Sequence, residues 1–288
     1  MADEIAVISG KGGTGKTTIA AAFIAIAKNL VLADCDVDAP DLHILLQPIV
    51  DTIDEFHGSK VAVIDENACT LCGLCRDRCR FDAVHLPQIN TIACEGCGVC
   101  AHVCPEEAID MVDRISGMLY KSHTRFGPMS HAKLLPGEGN SGKLVTEVRK
   151  NSQELARRNG SDIILIDGSP GIGCPVIATV TGIKLGIIVT EPTKSGIHDM
   201  ERVLSLLQRF NIPAMVIINK YDINLINSQR IHEYCMKHSV DVLGRIPFDS
   251  IMTDSMVAAT TLPEYVPNHE LTTSLSGMWS IVMKKLSD

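Results

Sequence analysis

The chain has 288 residues, 45% of them hydrophobic, with 26 basic and 34 acidic side chains and a formal charge of −8. That length supplies one sizeable domain and a small one. The acidity and the absence of a Lys/Arg run exclude a nucleic-acid groove, and they fit poorly with binding to anionic lipid.

No apolar stretch reaches the roughly 18 residues of a membrane span. The first strand pattern, residues 5–9, begins almost at once and leaves no room for a signal peptide. Without a leader, the 11 cysteines read as metal ligands in a reducing cytoplasm, not as disulfides. Residues 17–28 are a nearly unbroken Ala/Ile run, apolar all round, which predicts a buried helix. A second strand follows at 30–33. Residues 61–115 hold eight cysteines and almost no helical periodicity. Residues 116–143, rich in Gly, Ser and His, read as a connecting segment. The α/β rhythm then returns, with a helix at 144–159 capped by Gly160 and strands at 163–167, 185–190 and 214–219. Helices fit around 196–210 and 225–238. Residues 271–286 place Leu275, Trp279, Val282 and Leu286 at helical spacing. With Lys284-Lys285 as their only basic pair, they predict a helix packed on the core and no membrane anchor.

Short, fully apolar strands alternating with helices indicate an α/β fold, a doubly wound and mostly parallel sheet covered on both faces. The expected organisation is one domain from residues 1–60 and 116–288, interrupted by a small α+β domain at 61–115.

Gly10, Lys11, Gly12, Gly13, Thr14, Gly15, Lys16 and Thr17 follow a strand and open a helix, the context a P-loop requires. Glycines let backbone N–H groups face phosphate oxygens. The helix N-terminus and Lys16 add favourable charge, and Thr18 extends the same turn. Lys11 marks the deviant Walker A of the MinD/ParA/Mrp and nitrogenase iron-protein superfamily, which this sequence resembles over nearly all of its α/β portion. The resemblance implies ATP, Mg²⁺ and a nucleotide-dependent homodimer, with Lys11 reaching the partner's nucleotide. It also implies that Asp36, in a switch I-like segment (Ala33 to Pro40), positions the attacking water, with Asp34 nearby. Asp167 ends a Walker B-like strand. Thr17, Asp36 and Asp167 are then the Mg²⁺ candidates, and Lys11, Lys16, Asp36 and Asp167 the catalytic ones.

Asn219-Lys220-Tyr221-Asp222 matches the guanine-reading N-K-x-D pattern. The MinD-like family also sets an asparagine here, against adenine. ATP follows from the resemblance, and Asp222 keeps GTP open. Pro247 and Asp249 resemble the family's later base-side loop.

Cys69, Cys72, Cys75 and Cys79 have the spacing C-x2-C-x2-C-x3-C, and Cys94, Cys97, Cys100 and Cys104 repeat it 25 positions later. Ala83-Val84 and Ala108-Ile109 keep the offset, so this is an internal duplication resembling bacterial two-cluster ferredoxins. In that fold the fourth cysteine of each run ligates the other [4Fe–4S] cluster. The resemblance therefore implies Cys69, Cys72, Cys75 and Cys104 for one cluster and Cys94, Cys97, Cys100 and Cys79 for the other. Structural zinc usually pairs two C-x2-C units across a longer spacer, a different pattern. Arg80 stands where the first run would carry the proline that follows Cys104.

Cys174 lies at the offset from Asp167 at which the nitrogenase iron protein carries a cluster-ligating cysteine, so a cluster shared between subunits is one reading and a plain buried thiol the other. Cys35 and Cys235 read as packing residues, and His123, His131 and His198 as surface or capping histidines. The expected function is an ATP-hydrolysing iron–sulfur protein that couples nucleotide-dependent dimer and switch changes to electron transfer, with a redox partner or client metalloprotein. The alternative is an Mrp-like maturation or carrier protein, although the C-terminal C-x-x-C pair of such carriers is missing. A positioning ATPase of the MinD or ParA kind accounts least well for the cysteines.

Overall fold

A computed structural model describes residues 1–287. The first elements are strand β1 (Asp3–Ser9), helix α1 (Lys16–Ile26), β2 (Leu30–Asp34), α2 (Leu42–Leu46) and the long β3 (Ile49–Ile64). Next come α3 (Leu74–Arg78), β4 (Val84–His85), β5 (Gln88–Ile89), α4 (Val99–Val103), β6 (Ile109–Thr124) and β7 (Gly127–Leu134). Then follow α5 (Ser141–Asn159), β8 (Ile163–Pro170), α6 (Cys174–Val180), β9 (Leu185–Thr190), α7 (Lys194–Arg209) and β10 (Ala214–Asn219). The chain ends with α8 (Leu225–Lys237), β11 (Asp241–Ile246), α9 (Ser250–Val257), α10 (Leu262–Tyr265) and α11 (Glu270–Ser287). Two compact units emerge. The first holds Met1–Ile53, Leu119–Lys133 and the described chain from Ser141 on; the second holds Asp54–Met118 and Leu134–Asn140.

The first unit is built on a sheet in which β11, β10, β9, β1, β8, β2 and β7 lie side by side, followed by β6 and β3. The pairings from β11 through β7 are parallel. β2 and β9 are mainly aliphatic and buried along their length, and β1 is buried from Glu4 to Ser9 around an aliphatic centre, as strands covered on both faces must be. Helix α1 is buried from Ile19 to Ile24. By contrast, α7 buries Gly196 in its first turn and then Met200, Val203, Leu204 and Leu207, the i, i+3, i+4, i+7 stripe of a surface helix. Helix α11 packs Leu275, Trp279 and Val282 into the core beside Phe23, with the Phe23 and Trp279 rings 5.4 Å apart. No helix among the described residues is long and apolar enough to cross a membrane.

Residues 116–143 differ from the sequence expectation. Most of them form the β6–β7 hairpin around Arg125-Phe126, and β7 pairs with β2 through Leu32–Met129. The polar residues that suggest a connector are internally paired. Ser130 Oγ donates to the Val148 carbonyl at 2.9 Å, and Ser122 Oγ lies 2.9 Å from His131 Nε2. His131 is therefore no surface residue. It is buried, with its ring stacked 4.9 Å from Tyr120. Burial, with a smaller push from His43, lowers its imidazole to about 4. An unfolded chain takes up that proton near pH ~6.5, so stability present above that pH is lost as pH falls from about 6.5 toward 4. His131→Gln should flatten that fall in thermal melts taken across this window. An unchanged slope would assign the acid sensitivity to other groups.

The second unit carries the cysteine block on a duplicated frame. Helices α3 and α4 are copies, and the positive backbone φ angles at Leu71, Gly73 and Asp82 recur at Gly96, Gly98 and Glu107. β4 and β5 pair antiparallel, Val84 to Ile89. Ala62, Ile64, Cys75, Val84 and Ile109 form its small apolar core. The unit reaches beyond residues 61–115 because Glu138 pairs with Arg114 and the Leu135 N–H donates to the Ser116 carbonyl at 2.9 Å.

Candidate nucleotide site and cysteine cages

Gly10 to Gly15 join β1, at the centre of the parallel strands, to α1, whose first turn carries Lys16, Thr17 and Thr18. Gly15 has φ 91°, and a Cβ there would stand 2.3 Å from Asn219 Nδ2. Any side chain would drive these two apart. The Asn219 amide donates to the Thr14 carbonyl at 2.7 Å, and its Oδ1 accepts from the Lys220 N–H at 3.0 Å. Gly12 and Gly13 face open space. The loop borders a cavity of about 510 Å³ whose other walls include Asp36, Pro247, Phe248, Asp249, Met252 and Met256. Such a volume falls in the usual range for small-molecule pockets, roughly 300–1,000 Å³.

Charge converges beneath the loop. Lys16 Nζ donates to Asp167 Oδ1 at 2.6 Å, lies 3.7 Å from Asp36, and contacts Thr17 Oγ1 at 3.1 Å. Burial works against its ammonium, but Asp167, Asp36 and Asp34 outweigh burial and its pKa is raised. Burial raises the Asp36 carboxyl to about 6 against the pull of Lys16. Asp34 is fully buried and pushed well up, first by burial and then by Asp167. One Asp34 oxygen accepts from the Asp36 N–H at 3.0 Å. The other, with Asp167 Oδ2 and Thr14 Oγ1, is a buried polar atom lacking a hydrogen-bond partner. Three carboxylates around one ammonium, with free oxygens in the interior, leave a deficit of positive charge. Hard oxygen donors of this kind suit Mg²⁺.

Lys11 and Asp222 both have partners within the chain. Lys11 Nζ is held within its own chain, 2.5 Å from Glu191 Oε1 and within hydrogen-bond reach of Thr193 and Ser195. Glu191 also takes Lys220 at 3.3 Å. Asp222 Oδ1 accepts from the Phe248 N–H at 2.7 Å, so this carboxylate ties the N-K-x-D turn to the Pro247–Asp249 loop. Asp249 caps α9 by accepting from the Ile251 N–H at 3.0 Å. Thr18 Oγ1 contacts Met256 Sδ at 3.1 Å. Glu191, Thr193 and Ser195 were missed from sequence. Their one signal is position, just past the end of a buried strand beside the loop.

In the second unit the eight cysteines line two hollows. One is bordered by Cys69, Cys72, Cys75 and Cys104, the other by Cys79, Cys94, Cys97 and Cys100. Each hollow thus takes three cysteines from one repeat and the fourth from the other. The Ala83 N–H donates to Cys79 Sγ and the Ala108 N–H to Cys104 Sγ, both at 3.4 Å, which repeats the same backbone support. Among the described residues no three His, Cys, Asp or Glu side chains converge on a single-ion site. Four soft sulfur donors at each hollow fit an iron–sulfide cluster.

Cys174 is an exposed residue at the start of α6, and Cys35 and Cys235 are buried thiols. His123 is exposed, its Nδ1 2.7 Å from Asp51, and His198 is exposed beside Asp199.

A phosphate loop between a central parallel strand and a buried helix, faced by carboxylates from neighbouring strands, defines a P-loop nucleotide-binding protein of the α/β class. Residues 5–259 match the CobQ/CobB/MinD/ParA nucleotide binding domain, and the chain belongs to this family of MinD/ParA-type ATPases. An uncharacterized protein of Methanocaldococcus jannaschii is 36% identical over 249 residues, covering 85% of this chain and 84% of that one. An iron–sulfur cluster carrier protein of Pyrococcus horikoshii is 23% identical over 262 residues, 85% of this chain and 74% of its own. The solved septum site-determining protein MinD of Pyrococcus horikoshii, complexed with Mg-ADP, has a TM-score of 0.60 at 18% identity over 98% of this chain and 96% of that one, a likeness of fold.

Proposed function

We propose that this chain is a cytoplasmic ATPase that carries two [4Fe–4S] clusters in an inserted ferredoxin-like domain and couples nucleotide turnover to electron transfer. The observation that carries the reading is the interleaving of the cysteine sets, three and one in each hollow. When bound, each cluster supplies a one-electron store. Thr17, Asp36 and Asp167 hold Mg²⁺, Lys16 turns from Asp167 to the phosphates, and Asp36 orients water. Asn219, Asp222, Pro247 and Asp249 shape the base side of the pocket. Lys11 leaves Glu191 to reach the nucleotide of a second copy, which makes the dimer dependent on ATP. Asp222 already accepts from the Phe248 N–H, which favours ATP over guanine reading.

A second reading is favoured by the iron–sulfur cluster carrier relatives: an ATP-dependent donor of clusters to a client metalloprotein. Anaerobic EPR with redox titration separates the two. Electron transfer predicts about eight irons per chain, since each of two clusters holds four, reversible reduction, and a spectrum or midpoint that responds to ATP. Clusters that pass to an apo-acceptor would support the carrier. Zinc in place of iron would end both readings.

A further inference from the structure

The two cysteine repeats form an internal comparison. They share helix length, cysteine spacing and the unusual backbone angles, so whatever the repeat needs to fold, both copies supply. What differs between them is free to serve something else. Where the first copy has Arg76, Arg78 and Arg80, the second has Ala101, Val103 and Pro105.

The three arginines are exposed. Arg76 meets only its neighbour Asp77, at 3.4 Å, and Arg78 and Arg80 form no ion pair among the described residues. Exposed, mutually repelling cations contribute little to stability. They are also out of character for a chain of charge −8. The second copy carries Glu95, Glu106 and Glu107 and no Arg or Lys between Cys94 and Cys104. Position matters as much as charge. The Arg76 guanidinium folds back over Gly73, 3.3 Å from where a Cβ on that glycine would stand. Beside it, Cys72 is exposed, and Leu71 and Leu74 are 59% and 46% exposed. A cysteine of the first hollow is therefore exposed beside two exposed aliphatic side chains, with a basic margin alongside. Glu106 is the one acidic side chain bordering this hollow.

We propose that Leu71, Leu74, Arg76, Arg78 and Arg80 form the docking surface for an acidic one-electron carrier protein, at the Cys72 edge of the first cage. This rests on the cluster reading above. The apolar pair excludes water where the carrier's redox centre approaches, and the arginines steer an acidic face into register. The reduced carrier would give up one electron to the cluster that Cys69, Cys72, Cys75 and Cys104 would hold. No proton or atom is transferred.

The test uses the full chain, anaerobically loaded with iron, mixed in a stopped-flow instrument with a reduced acidic flavodoxin. The docking variant is Arg76→Glu/Arg78→Glu, and the iron content of the loaded chain checks that Cys75 and Cys79 beside them still serve. The control is Arg157→Glu/Arg209→Glu, two exposed arginines outside the second unit. The two variants change the net charge equally. At low ionic strength the docking variant should accept electrons at least about tenfold more slowly than the control. The gap should close near 0.5 M salt, where screening falls to a few ångströms. Iron content and the fraction reduced by excess dithionite should stay at wild-type values. Rates within twofold of wild type, or an equal slowing in the control, would overturn the docking surface and leave the cluster reading intact. A chain that takes up no iron would overturn both.

Discussion

Replacing Lys16 by alanine is expected to lower ATP hydrolysis by about two to three orders of magnitude, the usual cost of removing one preorganised charge from a reacting phosphate or oxyanion. Lys16 is the one ammonium within reach of both Asp167 and Asp36, at 2.6 and 3.7 Å. Its loss also leaves three buried or half-buried carboxylates facing one another, so the folded chain should melt earlier. Melting and turnover can be told apart by pH. Lys16 holds the Asp36 carboxyl down; even with it present, burial has raised that carboxyl to about 6. In the variant, carboxyl protonation begins at a higher pH and relieves the repulsion. Thermal stability should therefore recover as pH falls from about 8 to about 6, while hydrolysis does not. Wild-type turnover in a folded Lys16→Ala chain would remove the phosphate role from this residue.

Cys79→Ser should damage the cage of the other repeat. Its sulfur borders the hollow of Cys94, Cys97 and Cys100, and Cys104 borders that of Cys69, Cys72 and Cys75. The EPR signature of Cys79→Ser should therefore match that of Cys97→Ser, and Cys104→Ser should match Cys72→Ser. Each should lose up to about four of the eight expected irons per chain. Matching Cys79→Ser to Cys72→Ser instead would mean that each repeat closes its own cage. The comparison holds even when a damaged site keeps part of its iron, because it rests on which signals change.

Much of this protein was legible in its sequence because the chemistry is local. A phosphate cradle is made of consecutive backbone N–H groups, so Gly10 to Thr17 had to be contiguous and had to sit between a strand and a helix. The parallel sheet could be read because strands buried on both faces are mainly aliphatic, as residues 5–8, 30–33 and 185–189 are. The cysteine runs and their 25-residue offset are likewise matters of spacing.

Contacts between distant parts of the chain were decided only by the tertiary structure. Lys11 is tied to Glu191 and Asn219 to Thr14, across 180 and 205 positions. No local pattern marks such pairs. The polar look of residues 116–143 misled for the same reason: Ser122, Ser130 and His131 read as solvated until the fold supplies their buried partners. By itself the sequence determined which residues could cradle phosphate and which sulfurs were available. The assignment of Lys11 to Glu191 and of Asp222 to the Phe248 loop required the folded chain. A side chain's partner is set by where the backbone returns, and burial then makes an unpaired polar group too costly to leave alone.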